Sequence, residues 1–165
     1  RRSSDLLNWR NSMSIEVAEE KYNYKVYGLK INLQIKIDEF IKIENLNKDD
    51  IDVYFYYGDM PNNICKLRSE GKTSFYSKNY VWFEIDNVAS YYIKNGNEVI
   101  VEPWKGANGQ EINLYLMCSC LGFIMLQREK VAIHGGVMKI NDKAIIITGN
   151  RGAGKYRILQ GLIYK

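Results

Sequence analysis

The stretch that most constrains the fold lies near the C-terminus and reads Lys143-Ala-Ile-Ile-Ile-Thr-Gly-Asn-Arg-Gly-Ala-Gly-Lys-Tyr156. Residues 144–148 are rich in β-branched side chains and read as a strand. That strand opens into Gly149, Gly152 and Gly154, with Lys155 behind them and an apolar, helix-competent segment over 158–164. Strand, glycine loop, lysine and helix in this order suit a bound phosphate. Glycines let backbone N–H groups turn inward as an anion nest, the helix N-terminus adds positive potential, and the lysine reaches the outer phosphates. The candidate contacts are Gly149, Asn150, Arg151, Gly152, Ala153, Gly154, Lys155 and Tyr156. One member departs from the pattern: position 156, where a Ser or Thr hydroxyl would ligate the nucleotide's Mg²⁺, carries Tyr. The same residues also suit a glycine-rich hairpin turn followed by a surface helix.

The remainder must form a packed core, since 165 residues with 46% apolar side chains make one ordinary domain or two small ones. Thirteen tyrosines and two prolines favour strands. The net charge of +4 is spread along the chain. It suits a phosphorylated ligand and lacks the concentrated basic face of a nucleic-acid binder. Cys65, Cys118 and Cys120 have no metal-ligand spacing and suit reduced thiols in a cytoplasmic protein. No signal peptide is visible, and the apolar stretch 112–126, interrupted by Asn113, falls short of the roughly 20 residues that span a bilayer. No membrane association is expected.

Residues 1–21 read as an arm or one short helix capped near Ser4 or Asp5. From Tyr22 the apolar period changes to two, through Tyr24, Val26, Leu29, Ile31, Leu33, Ile35 and Ile37, giving a strand pair or a long strand bent at Gly28. Residues 51–57 are a further β run, 58–63 a turn and 73–85 another β region. Residues 88–94 and 98–102 flank Asn95-Gly96-Asn97, the clearest hairpin, because Asn-Gly supplies the positive φ angles of a tight turn. The region 22–104 is therefore a mainly antiparallel β-rich domain. A boundary is expected at 104–109, and 105–165 is read as a second, incomplete domain. It contains a buried helix over 111–128, with Ser119 and Gly122 allowing close approach of a neighbour, then a strand over 131–140 and the strand that feeds the loop. The fold class is α+β.

The tract from Tyr80 onward resembles the HPr kinase-like family of serine kinases, in which a small β-rich domain precedes a P-loop kinase domain. The resemblance rests on Val26-Tyr27-Gly28-Leu29, on Val88-Ala89-Ser90-Tyr91-Tyr92-Ile93 with Val99-Ile100-Val101-Glu102-Pro103, and on Val131-Ala132-Ile133-His134-Gly135-Gly136-Val137 leading into the loop. It implies that residues 149–155 hold the phosphates of ATP and that Lys155 binds the outer ones. It also implies that His134, the only histidine, sits beside the phosphates and an acceptor serine of a protein or peptide.

Two departures bear on activity. Tyr156 places its oxygen several ångströms further from the backbone than a Ser or Thr hydroxyl, which weakens or removes the Mg²⁺ position. The family's acidic residues follow the P-loop helix, and this sequence ends at Lys165. The expectation is an ATP-binding, kinase-like chain cut short after that helix, with impaired transfer. The alternative is a non-catalytic binding or regulatory module with a vestigial loop, in which an exposed sheet edge recruits a partner or a second copy.

Overall fold

The computed structural model describes residues 21–133, 135–150 and 152–163. The expected arm or helix over 1–21 lies, but for Lys21, outside them, as do His134 and Arg151. The described chain is mixed α+β, mostly strands, and passes from one compact unit to a second between Lys130 and Val131.

The first unit contains β1 (Tyr22–Val26), β2 (Leu29–Leu33), β3 (Ile41–Lys42), β4 (Val53–Tyr57), α1 (Asn62–Ser69), β5 (Ser74–Tyr76), β6 (Tyr80–Ile85), β7 (Ala89–Lys94), β8 (Glu98–Pro103) and α2 (Gly109–Gln127). All eight strands form one sheet in the order β3-β1-β2-β4-β8-β7-β6-β5. Its neighbours are antiparallel except β2 with β4 and β4 with β8, which run parallel. The sheet is thus mixed, a feature that the alternating pattern alone did not reveal.

Turn chemistry sets the register. Tyr27 and Gly28 lie at φ 52° and 80°, and they join β1 to β2 as a tight hairpin rather than a bend in one strand. Asn95 and Gly96 do the same between β7 and β8, at 51° and 66°. Lys94 therefore faces Glu98, and every residue back to Ala89 finds its partner on β8.

Strand alternation divides the side chains into two separate cores. On one face Tyr24, Ile31, Leu33, Val53, Phe83, Tyr91, Ile93, Val99 and Val101 pack with Ile112, Leu116, Cys120, Leu121 and Ile124 of α2. On the other, Trp82, Tyr92 and Ile100 pack with Met60 and Ile64, the latter from α1. Two buried polar groups find partners within these layers: Trp82 Nε1 donates to Ser90 Oγ at 2.7 Å, and Tyr91 Oη donates to Ile112 O at 3.2 Å, whereas Asn113 Oδ1 is buried without a hydrogen-bond partner. The expected division at 104–109 thus differs from the observed one, because α2 packs on the β-rich sheet and Asn108 Oδ1 caps its N-terminus through Gln110 N at 2.9 Å.

Helix α2 also differs from the buried helix expected. Only one side meets the sheet, leaving Leu114, Cys118 and Leu126 exposed. An added Cβ at Gly122 would meet nothing within 4 Å, so no close approach is made there. At 19 residues α2 is long and apolar enough to cross a membrane by length and composition, but Ile112, Leu116 and Ile124 lie in the core. Its Leu116–Cys120 turn is π-helical, with Leu121 N donating to Leu116 O. The C-terminal end of α2 is fastened to the β7–β8 turn. Gly96 N donates to Gln127 Oε1 at 2.7 Å, and Arg128 Nη1 donates to Gly96 O at 2.9 Å.

The second unit is small: β9 (Gly135–Ile140), β10 (Lys143–Thr148) and α3 (Lys155–Ile163). Asn141 and Asp142, at φ 47° and 61°, turn β9 back onto β10 in antiparallel register, with Thr148 opposite Gly135. The strand over 131–140 is thus shorter at its start than expected.

Candidate functional site

The glycine loop lies between β10 and α3, as the sequence suggests. The β10 ladder ends at Thr148, and the backbone then passes through positive φ at Gly149 (154°), Gly152 (84°) and Gly154 (75°) before α3 starts at Lys155. At Gly152 and Gly154 an added Cβ would have open space, so the backbone angle and not crowding selects glycine. Ala153 N donates to Asn150 O at 3.1 Å, closing a turn in mid-loop, and Ile158 N donates to Gly154 O at 3.2 Å in the first turn of α3.

Lys155 is held by the loop itself. Its Nζ donates to Gly149 O at 2.6 Å and to Asn150 O at 2.9 Å. The ammonium has three donors and no acceptor, so two are committed to these carbonyls and the third is left for another acceptor. An anion in the loop would compete with the two carbonyls for the same cation.

The residue opposite Thr148 is glycine for a different reason. A Cβ on Gly135 would stand 2.8 Å from Ile147 O and 3.2 Å from the Thr148 methyl, so β9 approaches β10 closely where the ladder meets the loop. His134 precedes this glycine in sequence and lies outside the described residues, as does Arg151.

Tyr156 is 72% exposed, its ring in solvent on the first turn of α3. Among the described residues no three His, Cys, Asp or Glu side chains stand close enough to hold a metal ion. An exposed phenol is a poor ligand for Mg²⁺, which takes carboxylate, phosphate and water oxygens, so position 156 itself does not fit this ion. The loop brings together three positive-φ glycines, the first turn of α3 and the Lys155 ammonium.

Asp49 and Asp50 sit on a short 3-10 turn (Lys48–Asp50), and the Asp142 side chain lies at the surface. Sequence reasoning missed a charge cluster more deeply buried than the Arg128–Asp52 pair. Arg68 of α1 lies between Glu84 of β6 and Glu102 of β8, with Nε 2.5 Å from Glu84 Oε1 and Nη2 2.6 Å from Glu102 Oε2. The three residues are far apart in sequence, and only sheet pairing brings them together. Buried Cys120 has its thiol pushed well above its ordinary range by desolvation, so it is an inert packing group. Cys118, expected to be buried with it, is exposed, because it faces away from the sheet.

Comparison with protein-family models, curated proteins and solved structures gives no match.

Proposed function

We propose that this chain binds the phosphates of a nucleotide such as ATP through residues 149–155, as a cytoplasmic relative of HPr kinase-like serine kinases with impaired or absent phosphoryl transfer. The observation that carries this reading is the loop between β10 and α3, where three positive-φ glycines and Lys155 Nζ stand at the N-terminus of a nine-residue helix. In this reading the loop backbone and α3 neutralise the inner phosphates, and Lys155 leaves its carbonyl partners to reach the outer ones. His134 would lie beside them and beside an acceptor serine of a protein or peptide. Transfer is weak because phosphoryl transfer depends on positioning and on charge neutralisation by a metal, and Tyr156 offers no short-reach hydroxyl to hold one.

Thermal shift on ATP titration, with and without Mg²⁺, tests the proposal. The expected result is stabilisation by ATP that is lost in Lys155→Ala and depends little on Mg²⁺. Tyr156→Ser should add a Mg²⁺-dependent component. No response of the unsubstituted chain at millimolar ATP would refute nucleotide binding. No added Mg²⁺ effect in Tyr156→Ser would refute the role given to position 156.

A further inference from the structure

We propose that α1 is a latched lid: the segment 59–72 opens as a unit from the sheet, uncovering Trp82, Tyr92 and Ile100, while the larger core stays folded. The latch is the Arg68 guanidinium, clamped between Glu84 and Glu102.

The first support is the separation of the two cores. The cluster under α1 comprises only Met60, Ile64, Trp82, Tyr92 and Ile100 as buried members, on the opposite sheet face from the cluster that holds α2. Opening it disturbs no side chain of the larger core. The second is the weakness of α1 by itself. Eight residues are below the length at which a helix is stable in water, Pro61 offers no side-chain cap, and no acidic residue occupies the first turn. Ile64 is its one buried residue.

The third is the way the segment is anchored. Gly58 N donates to Val101 O at 3.0 Å just before it, and Glu84 N donates to Thr73 O at 2.8 Å just after it. Between these anchors the backbone bonds are local, from Ile64 N and Cys65 N to Pro61 O, from Gly71 N to Arg68 O and from Lys72 N to Leu67 O. Gly71, at φ 81°, supplies the reversal at the exit. The remaining ties to the sheet are side-chain ones: the Asn63 bond to Tyr92, the 3.4 Å bond from Met60 N to Glu102 Oε1, and Arg68. Arg68 is the strongest, because charge-assisted bonds in a partly buried setting are worth more than neutral ones. Its side chain is 20% exposed, and those of Glu84 and Glu102 are 9% and 12% exposed. Glu102 serves both Met60 N and Arg68, so it ties both ends of the segment at once.

Amide hydrogen exchange under native conditions tests the lid. In the unsubstituted chain the amides of residues 64–70 should exchange through an opening that is more frequent than, and separate from, the one that exposes Tyr91, Ile93 and Val99. Arg68→Met should speed exchange at 64–70 by about a hundredfold or more, the scale expected when one partner of a buried ion pair is removed, and change it little at Tyr91 and Ile93. Exchange at both sets through one common opening in the unsubstituted chain would overturn the proposal, whether or not the variant folds. An equal acceleration at both sets in Arg68→Met would do the same.

Discussion

Replacing Gly96 by alanine should destabilise the first unit by more than backbone strain alone. Gly96 lies at φ 66°, where an L-residue costs roughly 1–2 kcal/mol. Its new Cβ would lie 2.8 Å from Arg128 Cγ and 3.3 Å from Ile124 O, so the last turn of α2 or the arginine must move. Moving Arg128 weakens its bonds to Gly96 O and to Asp52, at about 1 kcal/mol for one effective hydrogen bond. Reduced freedom of the unfolded chain returns roughly 0.4–1 kcal/mol. The net is a loss of about 2 kcal/mol, or a fall of about 4–8 °C in melting temperature for a domain of this size. Gly28→Ala is the matching control, with φ 80° and nothing within 4 Å of the new Cβ, so it carries the strain without the collision. Urea denaturation followed by circular dichroism measures both. Equal losses in the two variants, or a loss in Gly96→Ala below about 0.5 kcal/mol, would refute the contact between the β7–β8 turn and the end of α2.

Two further outcomes follow from burial. The Tyr57 phenol is pushed up to about 12 by burial, Tyr56 to about 12 by burial and its bond to Glu98, and Tyr91 is raised by burial. Above the ordinary tyrosine value of 10.0, the unfolded chain loses these protons first, so it binds fewer protons than the folded one and stability falls as pH rises through about 12. Denaturation midpoints across this range check the sign, and a constant or rising stability would contradict it. A thiol reagent should modify exposed Cys65 and Cys118 in the native protein and reach Cys120 only after unfolding. Rapid native labelling of Cys120 would contradict its placement.

The elements legible in the sequence are those fixed by local chemistry. Asn95-Gly96 between two alternating runs specifies a hairpin wherever it sits, and Tyr27-Gly28 closes β1 on β2 in the same way. The β10, glycine-loop and α3 succession is equally local. Helix α1 was hidden because Pro61-Asn62-Asn63 reads as a turn, and because the segment marks its inner side with little more than Ile64 and Leu67. The parallel pairing of β4 with β2 and β8 was hidden because it joins strands separated by a crossover, which no local pattern reports. The division near residue 104 followed a real change in composition. Whether a helix belongs to the unit before or after such a change is decided by packing, here by Leu116, Leu121 and Ile124 against the sheet. At the loop, the residue types pointed to the backbone course. The ties of Lys155 to Gly149 O and Asn150 O, by contrast, are tertiary detail.

The most direct test of the account follows the backbone amides of Gly149, Gly152, Gly154 and Lys155 by nuclear magnetic resonance as ATP is added without Mg²⁺. The account predicts saturable shifts at these amides that vanish in Lys155→Ala. Absence of shifts at millimolar ATP, or shifts that persist unchanged in Lys155→Ala, would contradict it.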